Sequence, residues 1–152
     1  MKIRNSFVTN SSSSSYIIAK KTKATEEDIK NAISKKYYEN KQKYIDLLEE
    51  IITGYDLQES DYIDYQEDDE YDYYATNLVR AYFKKDNIDE EFISYLTKRI
   101  LNLFFDRRWN SVGELDSWSV VTCEVSNEDD DFFGWLLYDD ITIIENELIK
   151  VI

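Results

Sequence analysis

A change of hydrophobic period divides this chain and sets what it can fold into. Between Thr25 and Phe104 apolar residues recur at spacings of three and four, the repeat of helices with one buried face. Beyond Trp109 that repeat gives way to short runs rich in β-branched residues.

The helical part opens on Thr25-Glu26-Glu27-Asp28. This resembles a capping box with Asp in place of the usual Glu or Gln, and it places negative charge over the first turn, where the helix dipole favours it. Ile29, Ala32 and Ile33 then share a face, and Tyr44, Leu47, Leu48, Ile51 and Ile52 continue the spacing up to Gly54, a natural stop. Without proline, the stretch 38–42 leaves one helix or two equally open. A third helix is expected over 73–85, with Leu78, Val79, Tyr82 and Phe83 on one side. Asp89 is expected to cap a fourth, in which Phe92, Leu96, Ile100, Leu103 and Phe104 form the most regular amphipathic stripe and predict a central core helix.

The β-prone segments lie at the two ends. Trp118 to Val125 reads as a strand running into the charged turn Ser126 to Asp131, followed by strands over 132–138, 141–145 and 148–152. Near the start, the flanks 7–10 and 16–19 enclose the run Ser11 to Ser15, whose hydroxyls compete for backbone hydrogen bonds and favour turns, so a strand, a loop and a strand are expected. A plain flexible connector fits the serines equally well. Together these segments predict an α+β domain: one mainly antiparallel sheet from N- and C-terminal strands, with three to four central helices. At 152 residues the chain suits a single acidic domain, organised as 1–20, 25–105 and 116–152.

The opening Arg4-Asn5-Ser6-Phe7-Val8-Thr9-Asn10, five serines, Tyr16 and Ile17 resembles a recurrent N-terminal segment of small uncharacterised proteins from bacteriophages and their low-GC hosts. Its usual form is Arg-Asn, Gly or Ser, Phe-Val, Ser or Thr, Asn, then serines and an aromatic residue. The resemblance covers about the first 18 residues. It implies a phage or prophage origin and carries no activity with it.

Composition removes much of the usual catalytic inventory. With no His there is no Ser-His-Asp or Cys-His machinery and no His-ligated zinc or haem. One Cys makes neither an internal disulfide nor a thiolate cage, and Cys123, inside a strand pattern with no basic neighbour, reads as a small buried residue. The three glycines stand too far apart for a phosphate-binding loop. Read from Asn127, an EF-hand would have Asp129 and Asp131 in place, but its sixth residue is Phe132 and its twelfth Tyr138. A metal-dependent nuclease pairing Asp116 with Glu124 lacks its lysine, because residue 126 is Ser. No catalytic residue, metal ligand or cofactor is assigned. The opening residues hold no apolar signal segment and no run is long enough to span a bilayer, so a cytoplasmic location away from membranes is expected.

Charge is what the sequence offers instead. The formal net charge is −14, which argues against direct nucleic-acid binding. It is unevenly spread: residues 1–44 hold ten basic and four acidic side chains, a net of +6, against eight and 28, a net of −20, in the remainder. The simplest use of the basic front end is to offset the acidic body within one fold.

From Tyr55 to Ala75 there are nine acids, six tyrosines and no basic residue. A solvated acidic loop is the plain reading. The binding alternative takes Asp61, Tyr62, Asp64, Tyr65, Glu67, Asp68, Asp69, Glu70 and Asp72 as the contact surface for a basic protein partner. If helical, the segment would carry a charge about every 3.5 Å, close to the roughly 3.4 Å between phosphates along one DNA strand. Tyrosine adds anchoring area, and Asp129 to Asp131, Asp139 and Asp140 extend the patch. An acidic accessory protein that inhibits a host nucleic-acid-handling or defence factor is therefore expected. The alternatives are a virion or assembly module and a carboxylate-and-metal enzyme.

Overall fold

A computed structural model describes residues 13–59, 73–105, 112–126 and 132–152. In chain order its elements are β1 (Ser13–Lys21), α1 (Glu26–Glu39), α2 (Lys41–Gly54), α3 (Tyr73–Lys84), α4 (Ile88–Phe105), β2 (Val112–Leu115), β3 (Trp118–Ser126), α5 (Phe132–Asp139), a 3-10 turn (Ile141–Ile144) and β4 (Ile149–Val151). The four strands form one antiparallel sheet in the order β2-β3-β1-β4, so the fold is α+β. The first described strand thus lies between two strands from the far end of the chain.

Strand register decides which residues enter the core. Ile18 stands opposite Val121 on one side and Val151 on the other, and Tyr16 opposite Cys123. These residues, with Ile149, point to the face on which α4 and α5 pack against β3, and Ile18, Val121 and Ile149 have no exposed surface. The helices add Ile29, Tyr37, Leu48, Leu78, Phe92, Leu96 and Ile100 to the same apolar cluster, each buried. The α4 stripe packs against α1, α3 and β3, and is the central helix its spacing predicts.

Helix ends follow local chemistry. The Thr25 hydroxyl accepts from the Asp28 N–H at 3.1 Å, and Asp28 Oδ2 accepts from the Thr25 N–H at 2.9 Å. The backbone and hydroxyl of Thr25 hold the Asp28 carboxyl below its ordinary pKa. The chain does divide within 38–42: at Asn40 the backbone leaves the helical region, and its N–H and Nδ2 both donate back to the Lys36 carbonyl. Gly54 is only the last residue of α2. The left-handed residue is Asp56, at φ 52°, with Leu57 N–H on the Ile52 carbonyl and Asp56 N–H on that of Thr53.

Several expectations are corrected. Phe132 to Tyr138 forms a helix, not a strand. A continuous apolar run carries no usable period, and here Phe132, Phe133, Trp135, Leu136 and Leu137 are buried over more than half the circumference of α5. The strand expected over 141–145 is instead the 3-10 turn Ile141–Ile144, capped by the Asp140 carboxylate accepting from the Thr142 N–H at 3.0 Å. Asp89 lies inside the first turn of α4 and does not cap it. The Asn87 carbonyl receives the first helical bond, from Glu91.

Ser13 to Ser15 belong to β1 rather than to a loop. The long partner β3 supplies ladder bonds as far as Ser126, and these need only the serine backbone. The expected strand over 7–10 and the rest of the serine run lie outside the described residues. Strand β2 gives no sequence signal beyond four residues. It is positioned by a two-residue hairpin in which Asp116 takes φ 57°.

Candidate functional site

The acidic segment leaves α2 and enters α3 from anchored points. Tyr55, directly after Gly54, stacks on Trp135 of α5 with ring centroids 4.1 Å apart and planes 4° from parallel. Leu57 packs against the core, and Ala75 is fully buried in α3. The nine contact residues expected from the sequence, Asp61, Tyr62, Asp64, Tyr65, Glu67, Asp68, Asp69, Glu70 and Asp72, lie outside the described residues, as do Asp129 to Asp131.

Next to this anchor the described residues form an acidic groove. Helix α2 buries Leu48, Ile51 and Ile52 and turns Asp46, Glu49 and Glu50 outward. The end of α5 brings Asp139 and Asp140 alongside. Asp46, Glu50, Asp139 and Asp140, with Gln42, Lys43 and Leu47, line an open groove of about 540 Å³. Gln42 Nε2 donates to Asp46 at 2.7 Å, and Lys43 Nζ sits 3.1 Å from Asp140. Among the described residues that line it, one lysine stands against four carboxylates, a negative balance. The sequence placed Asp139 and Asp140 in the patch but missed Asp46 and Glu50, although their i, i+4 spacing opposite the apolar stripe of α2 marks one exposed face.

The groove rests on a corner locked by polar contacts. Tyr44 donates its hydroxyl to the Ile143 carbonyl at 2.8 Å, and Lys36 Nζ donates to the Thr142 carbonyl at 2.7 Å. Across the corner, Asp89 accepts from the Tyr37 hydroxyl at 2.7 Å and from Lys41 Nζ at 2.9 Å. Burial alone would raise the pKa of Asp89, but the hydrogen bonds from Tyr37 and Lys41 outweigh it and hold the carboxyl below its usual value. Asp140 is treated likewise: burial opposes ionisation, and the bonds from Thr142 and Lys43 prevail. Burial raises both Tyr37 and Tyr44 far above an ordinary phenol. Both rings are core residues with a satisfied hydroxyl.

The basic front end is thus partly used inside the fold, as Lys36, Lys41 and Lys43 meet carbonyls or carboxylates of the acidic body. Asp116 sits in the β2–β3 turn and Glu124 near the other end of β3, so the two do not meet. Among the described residues, no three acids or Cys form a group that would hold a metal ion. Cys123 is buried in β3. No described helix is long and apolar enough to cross a membrane. No family model, curated protein or solved structure matches the chain.

Proposed function

We propose that this chain is an acidic accessory protein of phage or prophage type that binds a basic surface on a host protein, acting by occupancy rather than catalysis. The observation that carries this reading is the groove of Asp46, Glu50, Asp139 and Asp140 beside the anchored start of the Tyr55 to Ala75 segment. A rigid negative surface continuous in sequence with nine further acids suits a groove built for phosphates: charge steers the encounter and tyrosine supplies contact area. The partner class is therefore a nucleic-acid-handling or defence protein, met in the host cytoplasm and inhibited when its basic groove is filled. The phage assignment rests on the N-terminal resemblance alone.

The test is affinity capture with the full chain, followed by binding measurements on the recovered protein. A basic partner should be retained and released by salt. Asp46→Lys with Glu50→Lys, and separately Asp64→Lys with Asp68→Lys and Asp69→Lys, should each weaken it. Recovery of no basic partner, or full binding by both variants, rejects the proposal.

A further inference from the structure

Among the described residues, α4 and α5 pack on the face of Ile18, Val121 and Cys123, and the side chains of the opposite face are mostly exposed or half-buried. That face has its own chemistry. Alternation along β1 and β3 turns Ile17, Lys21, Trp118 and Val120 outward, and the register with β4 brings Lys150 beside Ala19. Lys21 Nζ lies 4.4 Å and Lys150 Nζ 4.6 Å from the centroid of the Trp118 ring. One indole therefore gathers two ammonium groups from different strands. Neither lysine has a carboxylate partner among the described residues. Ala19, between them on the same face, is 1% exposed. Ile17, 42% exposed, and Ile152, 70% exposed, flank the cluster. Lys21 also joins Lys23 and Lys35 around an adjoining groove of about 520 Å³, where Asp28 and Glu147 leave a surplus of one positive charge.

We infer that this open sheet face is a second interaction surface, and that its occupant is a carboxylate-rich polypeptide segment of a partner protein that also carries apolar or aromatic side chains. The argument is charge and shape complementarity. Two ammonium groups held by one ring are pre-positioned for carboxylates, at little ordering cost on binding. The exposed isoleucines accept an apolar side chain beside them. A second copy seated face to face would bring four of these ammonium groups together and is disfavoured by repulsion. A single-stranded nucleic acid needs a bare aromatic platform, whereas this indole is already taken up by lysines. The surface is separate from the acidic groove and does not depend on the function proposed for that groove.

The experiment titrates the full chain into a fluorescein-labelled peptide of glutamate and tyrosine and follows anisotropy, with an oligothymidylate of equal charge in parallel. The peptide should bind, and Lys21→Glu with Lys150→Glu should weaken it about tenfold or more. Lys21→Gln with Lys150→Gln should give a smaller loss at unchanged melting temperature. Lys84→Glu with Lys85→Glu, elsewhere on the surface, should bind like the parent. Absence of peptide binding, equal affinity of the Lys21/Lys150 variants, or tighter binding to the oligothymidylate would overturn the inference. So would sedimentation showing a self-associated chain that the same substitutions dissociate, since that would make a second copy the occupant.

Discussion

The hydroxyl of Tyr37, on a ring with no exposed surface in α1, donates to Asp89 in the first turn of α4 at 2.7 Å, and Lys41 at the start of α2 meets the same carboxylate. Three helices are joined at one acid. Tyr37→Phe is expected to cost about 1.5 to 3 kcal/mol in urea unfolding, the range for a hydrogen bond to a charged group. Asp89→Asn should cost a similar amount. The double variant should cost clearly less than the sum, because each single change already removes the shared bond.

These contacts give a signed pH dependence. The Asp89 and Asp140 carboxyls have lowered pKa values in the fold, so over the acid range the unfolded chain takes up protons first. Their stabilisation is complete above the ordinary carboxylate pKa of about 4 and is lost as pH falls through the lower folded values. The stability gap between the parent and Asp89→Asn or Asp140→Asn should therefore be widest near neutrality and shrink below about pH 4. A gap that widens on acidification would contradict the assignment. Unfolding curves at a series of pH values measure it.

Two helix ends are closed by residues poorly suited to the conformation they hold. Asp56, two residues past the end of α2, and Lys85, directly after α3, take φ of 52° and 55°, and the following N–H in each case reaches back to the Ile52 or Ala81 carbonyl. Glycine removes the Cβ clash of the left-handed region. Asp56→Gly and Lys85→Gly are each expected to stabilise by about 0.5 to 1 kcal/mol, read as a raised melting temperature.

Ile18 is fully buried between Val121 and Val151 at the centre of the sheet. Ile18→Ala should cost about 2 to 5 kcal/mol, by lost burial and the cavity left behind. Ile17→Ala, one residue away on the open face, should cost well under half as much. Reversal of that order would mean that the sheet is packed on its other side.

The fold was legible wherever a period was long enough to read. The stripe from Phe92 to Phe104, the capping box at Thr25 and the β-branched run after Trp118 each gave the right element. The segment Phe132 to Tyr138 misled because apolar side chains on every side leave no period, and only the surrounding core decides between helix and strand. Asp89 looked like a cap because caps favour Asp, whereas tertiary partners claimed its carboxylate. The acidic groove was half legible: Asp139 and Asp140 are adjacent in sequence, but their approach to Asp46 and Glu50 depends on how α5 packs against α2. The gathering of Lys21, Trp118 and Lys150 could not be read in advance, because strand order brings together residues from three distant parts of the chain.

The most direct measurement is the affinity of the captured basic partner for the full chain as a function of salt, with Asp46→Lys/Glu50→Lys measured beside it. The expected result is a fall of about tenfold or more between roughly 50 and 200 mM salt, and a variant about tenfold weaker at the low-salt end. An affinity that does not change with salt, or a variant that binds as tightly as the parent, would contradict a function built on the acidic surface.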